Sequence, residues 1–396
     1  MTRIAFVHSN NDDIGGSDLA MWRVVRACRE EGYDPLVVIG VPNPIVKRYA
    51  RDRIPVSYVP MPRLSRTGNP LVHLRWAVAI LISTLRLRRV FSRNGVGFVF
   101  GNDFNELSAL LAAATLRIPR VTRLRFVFHA PTWVRRGYLT LLALAANKVL
   151  CVSEFVLAAN SGDLPFLKGR FATLYDWYED SPDQETGQSL HPSVFKVFGI
   201  PASARVVLMP GRMEPLKGQH VLVEAARKIS ETIPDAVILF VGPAVRGRGR
   251  ESYQEGLCRR SEALGLSGNV FFSDHVDNVP DLMRAASVVV QCSTGPEGFG
   301  LSVLEGLWYG TPVVASGVGG PLEIVGNPPA ALLHTPGNAS ELGEAVVRIL
   351  TDRHLAAQLV RLGKERAERF TRERLWPEFE SVIEDLLSER TPRSER

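Results

Sequence analysis

Two glutamates with seven residues between them bracket the most informative stretch of this 396-residue chain, Pro296-Glu297-Gly298-Phe299-Gly300-Leu301-Ser302-Val303-Leu304-Glu305-Gly306. An apolar, strand-like run precedes it and a helix pattern follows. Glycines let backbone N–H groups approach a ligand closely, and a helix N-terminus adds partial positive charge, so the stretch reads as a seat for phosphate or sugar oxygens. Glu297 is expected in the loop and Glu305 about two turns along the helix, roughly 11 Å away. At that separation the carboxylates do not share a proton, but they suit opposite ends of one extended ligand. A glycine-rich turn with a solvated glutamate on each side is the alternative.

A second constellation, Gly211-Arg212-Met213-Glu214-Pro215-Leu216-Lys217-Gly218, follows another apolar run. It puts Arg212 and Lys217 at a strand's carboxyl end, the edge where a diphosphate binds in open α/β sheets. Two cations there offset charge that builds on a departing diphosphate, as a metal does elsewhere. Two surface basic residues flanking a turn is the competing reading. The chain has neither an Asp-X-Asp triplet nor a spaced His cluster, so no metal is expected. There is no Walker A sequence, and Gly317-Val318-Gly319-Gly320 fails the dinucleotide spacing.

The elements that must position these residues come in two alternating series, which implies an α/β fold of two doubly wound domains facing each other across a ligand crevice. In the first half Ile4–Val7, Pro35–Ile39, Gly97–Phe100, Phe126–Phe128 and Val149–Val152 read as strands, with Ser17 and Ser153 as helix N-caps. In the second, Val206–Met209, Val237–Val241, Val270–Phe272, Val288–Gln291 and Pro312–Ala315 alternate with helices such as Val221–Ile229, Pro280–Ala286 and Ser302–Tyr309. Between residues 176 and 201 periodicity fades while Asp, Ser, Pro, Gly and Gln collect. That sets the expected domains at 1–185 and 186–370. A terminal helix over 371–387 carries Trp376, Phe379, Ile383 and Leu386 on one face and must dock somewhere.

Taken together, Gly211–Gly218, Glu297–Glu305 and Gly310–Glu323 resemble, in order and interval, the retaining GT-B glycosyltransferases of family 4 across roughly residues 205–325. The first half is similar more loosely, through Gly15-Gly16, Phe128-His129 and Cys151-Val152-Ser153-Glu154. The resemblance implies a GT-B fold and transfer of a hexosyl unit from a nucleotide diphosphate sugar, with no cofactor. It implies that Glu297 holds the donor sugar, Glu305 the ribose hydroxyls, and Arg212 and Lys217 the diphosphate. The amides of Gly298, Phe299 and Gly300 would contact sugar and phosphate. Gly16 would let a first-domain loop close over the diphosphate, and His129 would line the sugar pocket, with His8 at a similar strand end as its competitor. Two departures stand out: the basic loop Val241–Arg250 replaces a short Gly-Asp-Gly-Pro turn, and Leu174-Tyr175-Asp176-Trp177-Tyr178-Glu179 replaces an Asn-Gly turn at the junction. A nucleotide-sugar epimerase or hydrolase on the same fold, and a catalytically silent binding protein, are the rival functions.

Composition bounds the partners. With 45% hydrophobic and 22% charged residues the chain is ordinary globular protein, and its four cysteines form no CxxC pair, which fits a reducing compartment. No export signal or spanning segment is visible, so a cytoplasmic protein is expected. The net charge of +6 is uneven: residues 61–150 hold fourteen Lys and Arg, Arg66 among them, against Asp103 and Glu106 only. A helix over Leu71–Phe91, apolar with Trp76 in its first half and carrying Arg86, Arg88 and Arg89 in its second, is either a core helix with a solvated end or a surface for anionic lipid headgroups at the inner face of a membrane. The expected acceptor is a glycan, a lipid-linked sugar or a small molecule. Nucleic acid is not expected, because no aromatic-interleaved binding module accompanies the charge.

Overall fold

The computed structural model describes residues 1–9, 14–64, 69–179, 192–244, 252–274 and 278–389. The chain divides into two compact units, one of Met1–Trp177 with Arg372–Arg396, the other Tyr178–Thr371. Arg66, the linker residues 180–191 and residues 245–250 of the basic loop lie outside the described residues.

The first unit holds strands β1 (Arg3–His8), β2 (Asp34–Ile39), β3 (Val56–Tyr58), β4 (Phe98–Gly101), β5 (Arg120–Leu124), β6 (Lys148–Cys151) and β7 (Phe171–Thr173). Helices α1 (Gly16–Glu30), α2 (Val46–Arg51), α3 (Pro70–Arg93), α4 (Leu107–Thr115), α5 (Thr132–Ala145) and α6 (Glu154–Ser161) connect them. All neighbouring strands are parallel, in the order β3-β2-β1-β4-β5-β6-β7. Runs such as Ile4–Val7 and Val37–Ile39 are apolar without alternation because helices cover both faces of a parallel sheet.

The second unit repeats the plan with β8 (Arg205–Pro210), β9 (Ala236–Val241), β10 (Val270–Ser273), β11 (Val288–Gln291), β12 (Val313–Ser316) and β13 (Leu332–His334). Its helices are α7 (Gln219–Thr232), α8 (Tyr253–Ala263), α9 (Val279–Ala285), α10 (Leu301–Trp308), α11 (Pro321–Val325), α12 (Ala339–Thr351) and α13 (Arg353–Ala367). Sheet order is β10-β9-β8-β11-β12-β13, again parallel. In each sheet the chain first winds outward one way and then returns to the centre and winds the other way. The reversal falls between β1 and β4 in the first unit and between β8 and β11 in the second. At such a switch point the connections leave in opposite directions and open a crevice at the strand carboxyl ends.

The terminal helix, α14 (Arg372–Ser388), belongs to the first unit. Phe379 meets Phe100 of β4 edge-on at 5.6 Å, Trp376 and Phe379 flank the fully buried Trp177, and Arg372 donates to Glu31 at 2.7 Å. Thus the apolar face of this helix completes the first core.

Several local expectations are corrected. The strand expected at Phe126–Phe128 is β5, six residues earlier, and Phe126 lies half exposed in the loop that follows. The arginines of β5 obscured it, yet Arg123 is fully buried. The N-cap of α1 is Gly15 rather than Ser17; the Asp18 carboxylate reaches back to accept from Gly15 N–H at 2.8 Å. Ser153 does cap α6, accepting from Val156 N–H at 3.1 Å. The edge strands β3, β7 and β13 are only three residues long, too short to carry a period.

Candidate functional site

Strands β8 and β11 are neighbours at the switch point of the second sheet, and both glycine-rich constellations are the loops that leave their carboxyl ends. The two loops are pressed together. A Cβ on Gly218 would sit 1.9 Å from Cys292 O, and its φ of +79° is left-handed, so only glycine permits this approach. Gly218 then caps α7, whose Gln219 side chain donates to Arg212 O at 2.9 Å and holds the loop shut.

This proximity brings Lys217 to Glu297: Nζ donates to Oε1 at 2.8 Å, with side chains 33% and 15% exposed. Ser293 Oγ donates to the same carboxylate oxygen. Burial pushes the Glu297 carboxyl up, but the Lys217 charge, together with hydrogen bonds from Lys217 and Ser293 and the nearby Gln291 amide, outweighs it and holds the group below the usual carboxylate range. Glu297 is therefore an ionised acceptor with one oxygen committed to Lys217 and Ser293. Lys217 carries three donors, of which this bond uses one. Arg212 leans on Glu214 at 3.4 Å. The two cations expected at the strand's carboxyl end thus each rest against a carboxylate.

The loop after β11 is braced by the turn after β12. Gly320 N–H donates to Glu297 O at 3.0 Å, Glu297 bridges Gly319, and a Cβ on Gly320 would lie 2.2 Å from Gly298 O. The Gly317–Gly320 run, which resembles a failed dinucleotide motif, serves as this brace. Phe299 buries its ring against Phe370, centroids 5.6 Å apart, and Gly300 is the N-cap of α10. Glu305 is corrected in position. Because α10 starts only at Leu301, Glu305 stands one turn, about 6 Å of rise, into the helix rather than two turns along it. It lies on the half-exposed side of α10, opposite the buried Val303, Leu304 and Leu307.

In the first unit the ends of β1 and β4 meet in the same way. His8 is buried and its Nδ1 lies 2.8 Å from Asn102 Nδ2. Desolvation, reinforced by Arg125 and Arg63, drives its pKa down to about 3, so the ring is neutral. His129, by contrast, is exposed in the loop between β5 and α5, and Gly16 is exposed at the first turn of α1. Sequence reasoning gave no structural role to Asp176 or Glu106. Asp176 is buried between Arg123 at 3.1 Å and Arg125 at 2.7 Å, and the carbonyls of Leu174 and Tyr175 accept from Arg123. The departure at Leu174–Glu179 thus supplies the counter-charge for two buried arginines, Arg123 of β5 and Arg125 just past its end. Glu106 is fully buried, accepts from Ser9 N–H at 2.8 Å and Ser9 Oγ at 3.0 Å, and is pushed to hold its proton by burial and by neighbouring Asp103. Glu106 is therefore not a surface acid opposing the basic stretch. Among the described residues no group of three or more His, Cys, Asp or Glu side chains is placed to hold a metal ion.

Residues 192–366 match the family of glycosyl transferases group 1. The chain is 33% identical over 181 residues to a D-inositol 3-phosphate glycosyltransferase of Corynebacterium urealyticum, an alignment covering 44% of this chain and 42% of that protein. It is 27% identical over 366 residues to a 2-deoxystreptamine glucosyltransferase of Streptomyces kanamyceticus, covering 87% and 92%. The chain thus spans less than half of the relatives it matches at about one third identity and nearly all of one matched at 27%. Its fold is similar to that of Anabaena Alr3699/HepE in complex with UDP and glucose, with a TM-score of 0.82 at 22% identity over 97% of this chain and 100% of that one.

Proposed function

We propose, from the premise that the chain belongs to the group 1 glycosyltransferases through residues 192–366 and has their two-unit GT-B fold, that it moves a hexosyl unit from a nucleotide diphosphate sugar to an acceptor with retention at the anomeric carbon. The observation that carries the proposal is the Lys217–Glu297 pair, 2.8 Å apart at the switch point of the second sheet. A cation and an ionised acceptor side by side match a ligand in which a diphosphate adjoins a sugar. Lys217 keeps two donors for phosphate oxygens while its first steadies Glu297, which accepts from sugar hydroxyls. Arg212 swings from Glu214 to the diphosphate, and Glu305 accepts from the ribose hydroxyls.

In the reaction the bond between the anomeric carbon and the phosphate oxygen breaks, and its electron pair leaves with the diphosphate. Lys217, Arg212 and the amides of Gly298, Phe299 and Gly300 stabilise that charge where it builds. The acceptor hydroxyl attacks from the same face and passes its proton to the departing phosphate oxygen. Charge stabilisation comes from these side chains, so no metal is invoked. The proposed acceptor is a glycan, a lipid-linked sugar or a small molecule. For His129 and Gly16 of the first unit, roles in donor handling are proposed on the resemblance alone.

The relatives' donors and acceptors differ, so the test begins with a thermal-shift screen of nucleoside diphosphates and their sugars. A ligand at 100 times its Kd adds about 2.7 kcal/mol of stability. Incubation of the stabilising donor with acceptor candidates follows, with and without chelator, and the product's anomeric configuration is read by NMR. Absence of any shift across the nucleotides sinks the proposal. Donor consumed without acceptor indicates the hydrolase or epimerase, and binding without turnover indicates the silent protein.

A further inference from the structure

Helix α3 is apolar on two faces, and only one of them is buried. Its sequence places Leu71, Leu74, Val78, Leu81, Ile82 and Leu85 at three- and four-residue spacing, which is one face of a helix. That face points outward, and these six side chains are between 44% and 63% exposed. The inward face is separate: it buries Ile80, Leu87 and Phe91 together with Ser83 and Thr84, whose hydroxyls donate to Pro60 O at 2.7 Å and Ser108 O at 3.3 Å. With Ile80, Leu87 and Phe91 already seating the helix on its unit, packing gives no physical reason for a second row of six apolar side chains in water. The apolar stripe extends about 21 Å along the helix, far larger than a singly exposed leucine.

The same face continues across the layer. Helix α4 packs against both α3 and α5, and Trp76 of α3 meets Tyr138 of α5 with ring centroids 6.3 Å apart. On α5, Trp133 is 79% exposed, and Leu141 and Leu144 are 44% and 57% exposed.

Charge selects the occupant. Helix α3 carries Arg75, Arg86, Arg88, Arg89 and Arg93 and no Asp or Glu. Where the stripe ends, Arg86, Arg89 and Arg93 line an open groove of about 490 Å³ with Tyr58, Pro60 and Asn94. No described helix is long and apolar enough to cross a membrane. Leucines that enter an acyl layer, a tryptophan at their flank and arginines beside them are the chemistry of a helix lying in the plane of an anionic bilayer. We propose that the α3–α5 face docks on an anionic lipid surface, with Leu81, Ile82 and Leu85 entering the acyl boundary and the Arg86/Arg89/Arg93 groove taking lipid phosphates. This face is separate from the switch-point loops of the second unit, so the inference does not depend on the transfer reading.

Flotation of the full chain tests it, using vesicles of phosphatidylcholine alone and vesicles half of phosphatidylglycerol. The protein is expected to float with the anionic vesicles and to be largely released from them at high salt. Each of Arg86→Gln, Arg89→Gln and Arg93→Gln should lower partitioning about fivefold, and Leu81→Glu with Leu85→Glu should abolish it. These positions are exposed, so the variants should keep the wild-type melting temperature. Failure to float on anionic vesicles overturns the proposal, and so does equal flotation on neutral ones. A dimer in sedimentation that Leu81→Glu dissociates, without flotation, reassigns the face to a second copy of the chain. Flotation unchanged in the Leu81→Glu, Leu85→Glu variant overturns the role of the stripe.

Discussion

Replacing Lys217 with Met keeps the stem and removes the charge that Glu297 rests on. At 2.8 Å the pair's gross Coulomb attraction is about 6 kcal/mol at an effective dielectric of 20. Solvent at the one-third exposed lysine and the desolvation of both ions cancel most of that, leaving about 1–3 kcal/mol in the resting protein. Turnover should suffer separately: loss of one group that stabilises developing phosphate charge costs about 10²-fold in kcat. The pH profile carries a second signature. Burial favours the neutral form of Glu297 and Lys217 is the leading opposing influence, so without Lys217 the carboxyl titrates at higher pH. The sign follows. In the wild type the depressed pKa makes Glu297 a source of stability above the ordinary carboxylate value near 4.3, lost as pH falls through its lower folded value. In Lys217→Met that contribution disappears, and the acid limb of kcat/KM moves upward. Release of nucleoside diphosphate across the acid range, at saturating donor for kcat and at donor well below KM for kcat/KM, reads both effects. Turnover close to wild type with an unmoved acid limb would refute the placement of Lys217 in the mechanism.

Two further perturbations probe the first unit. Asp176→Asn leaves Arg123 and Arg125 buried without their counter-charge and should cost about 3–5 kcal/mol in urea unfolding; a loss under about 1 kcal/mol would mean that the carbonyls of Leu174 and Tyr175 suffice. Glu106 has a raised folded pKa, so the native state binds the extra proton and the first unit loses stability as pH climbs above the carboxylate range. Glu106→Gln should flatten that slope and gain most at alkaline pH, and an unchanged melting-temperature profile would contradict the buried neutral acid.

The fold was legible where strands are long and apolar, and less so where one carries charge or runs short. β1, β2, β4, β6 and the central strands of the second sheet announce themselves because burial on both faces forbids polar residues. β5 failed that test because Arg120 and Arg123 interrupt it, and Arg123 is tolerated in the core only through Asp176, which lies 53 positions further along. No local window sees a partner at that distance. The outward apolar face of α3 was similarly hidden: the periodicity of Leu71–Leu85 is plain, but periodicity alone sends an apolar stripe inward, where Ile80, Leu87 and Phe91 in fact lie. Ser83 and Thr84, which share the inward positions, gave no signal until their acceptors at Pro60 and Ser108 were in place.

At the switch point of the second sheet the candidate residues were readable because glycine marks where backbone must approach backbone. Gly218 against Cys292 and Gly320 against Gly298 are such positions, and they deliver Lys217 and Glu297 to one another. What composition does not carry is the state in which the charges rest. Arg212 on Glu214 and Lys217 on Glu297 leave the loops nearly neutral without ligand, which avoids holding bare cations together in a part-buried crevice. Under the proposed transfer, a diphosphate arriving there would replace Glu214 at Arg212 but only add to Glu297 at Lys217, whose remaining donors can serve both. On that proposal the two cations differ in kind: Arg212 would have to break a contact to bind, whereas Lys217 is already fixed. Arg212→Lys should accordingly raise the KM for donor more than it lowers kcat, while Lys217 variants lose kcat first.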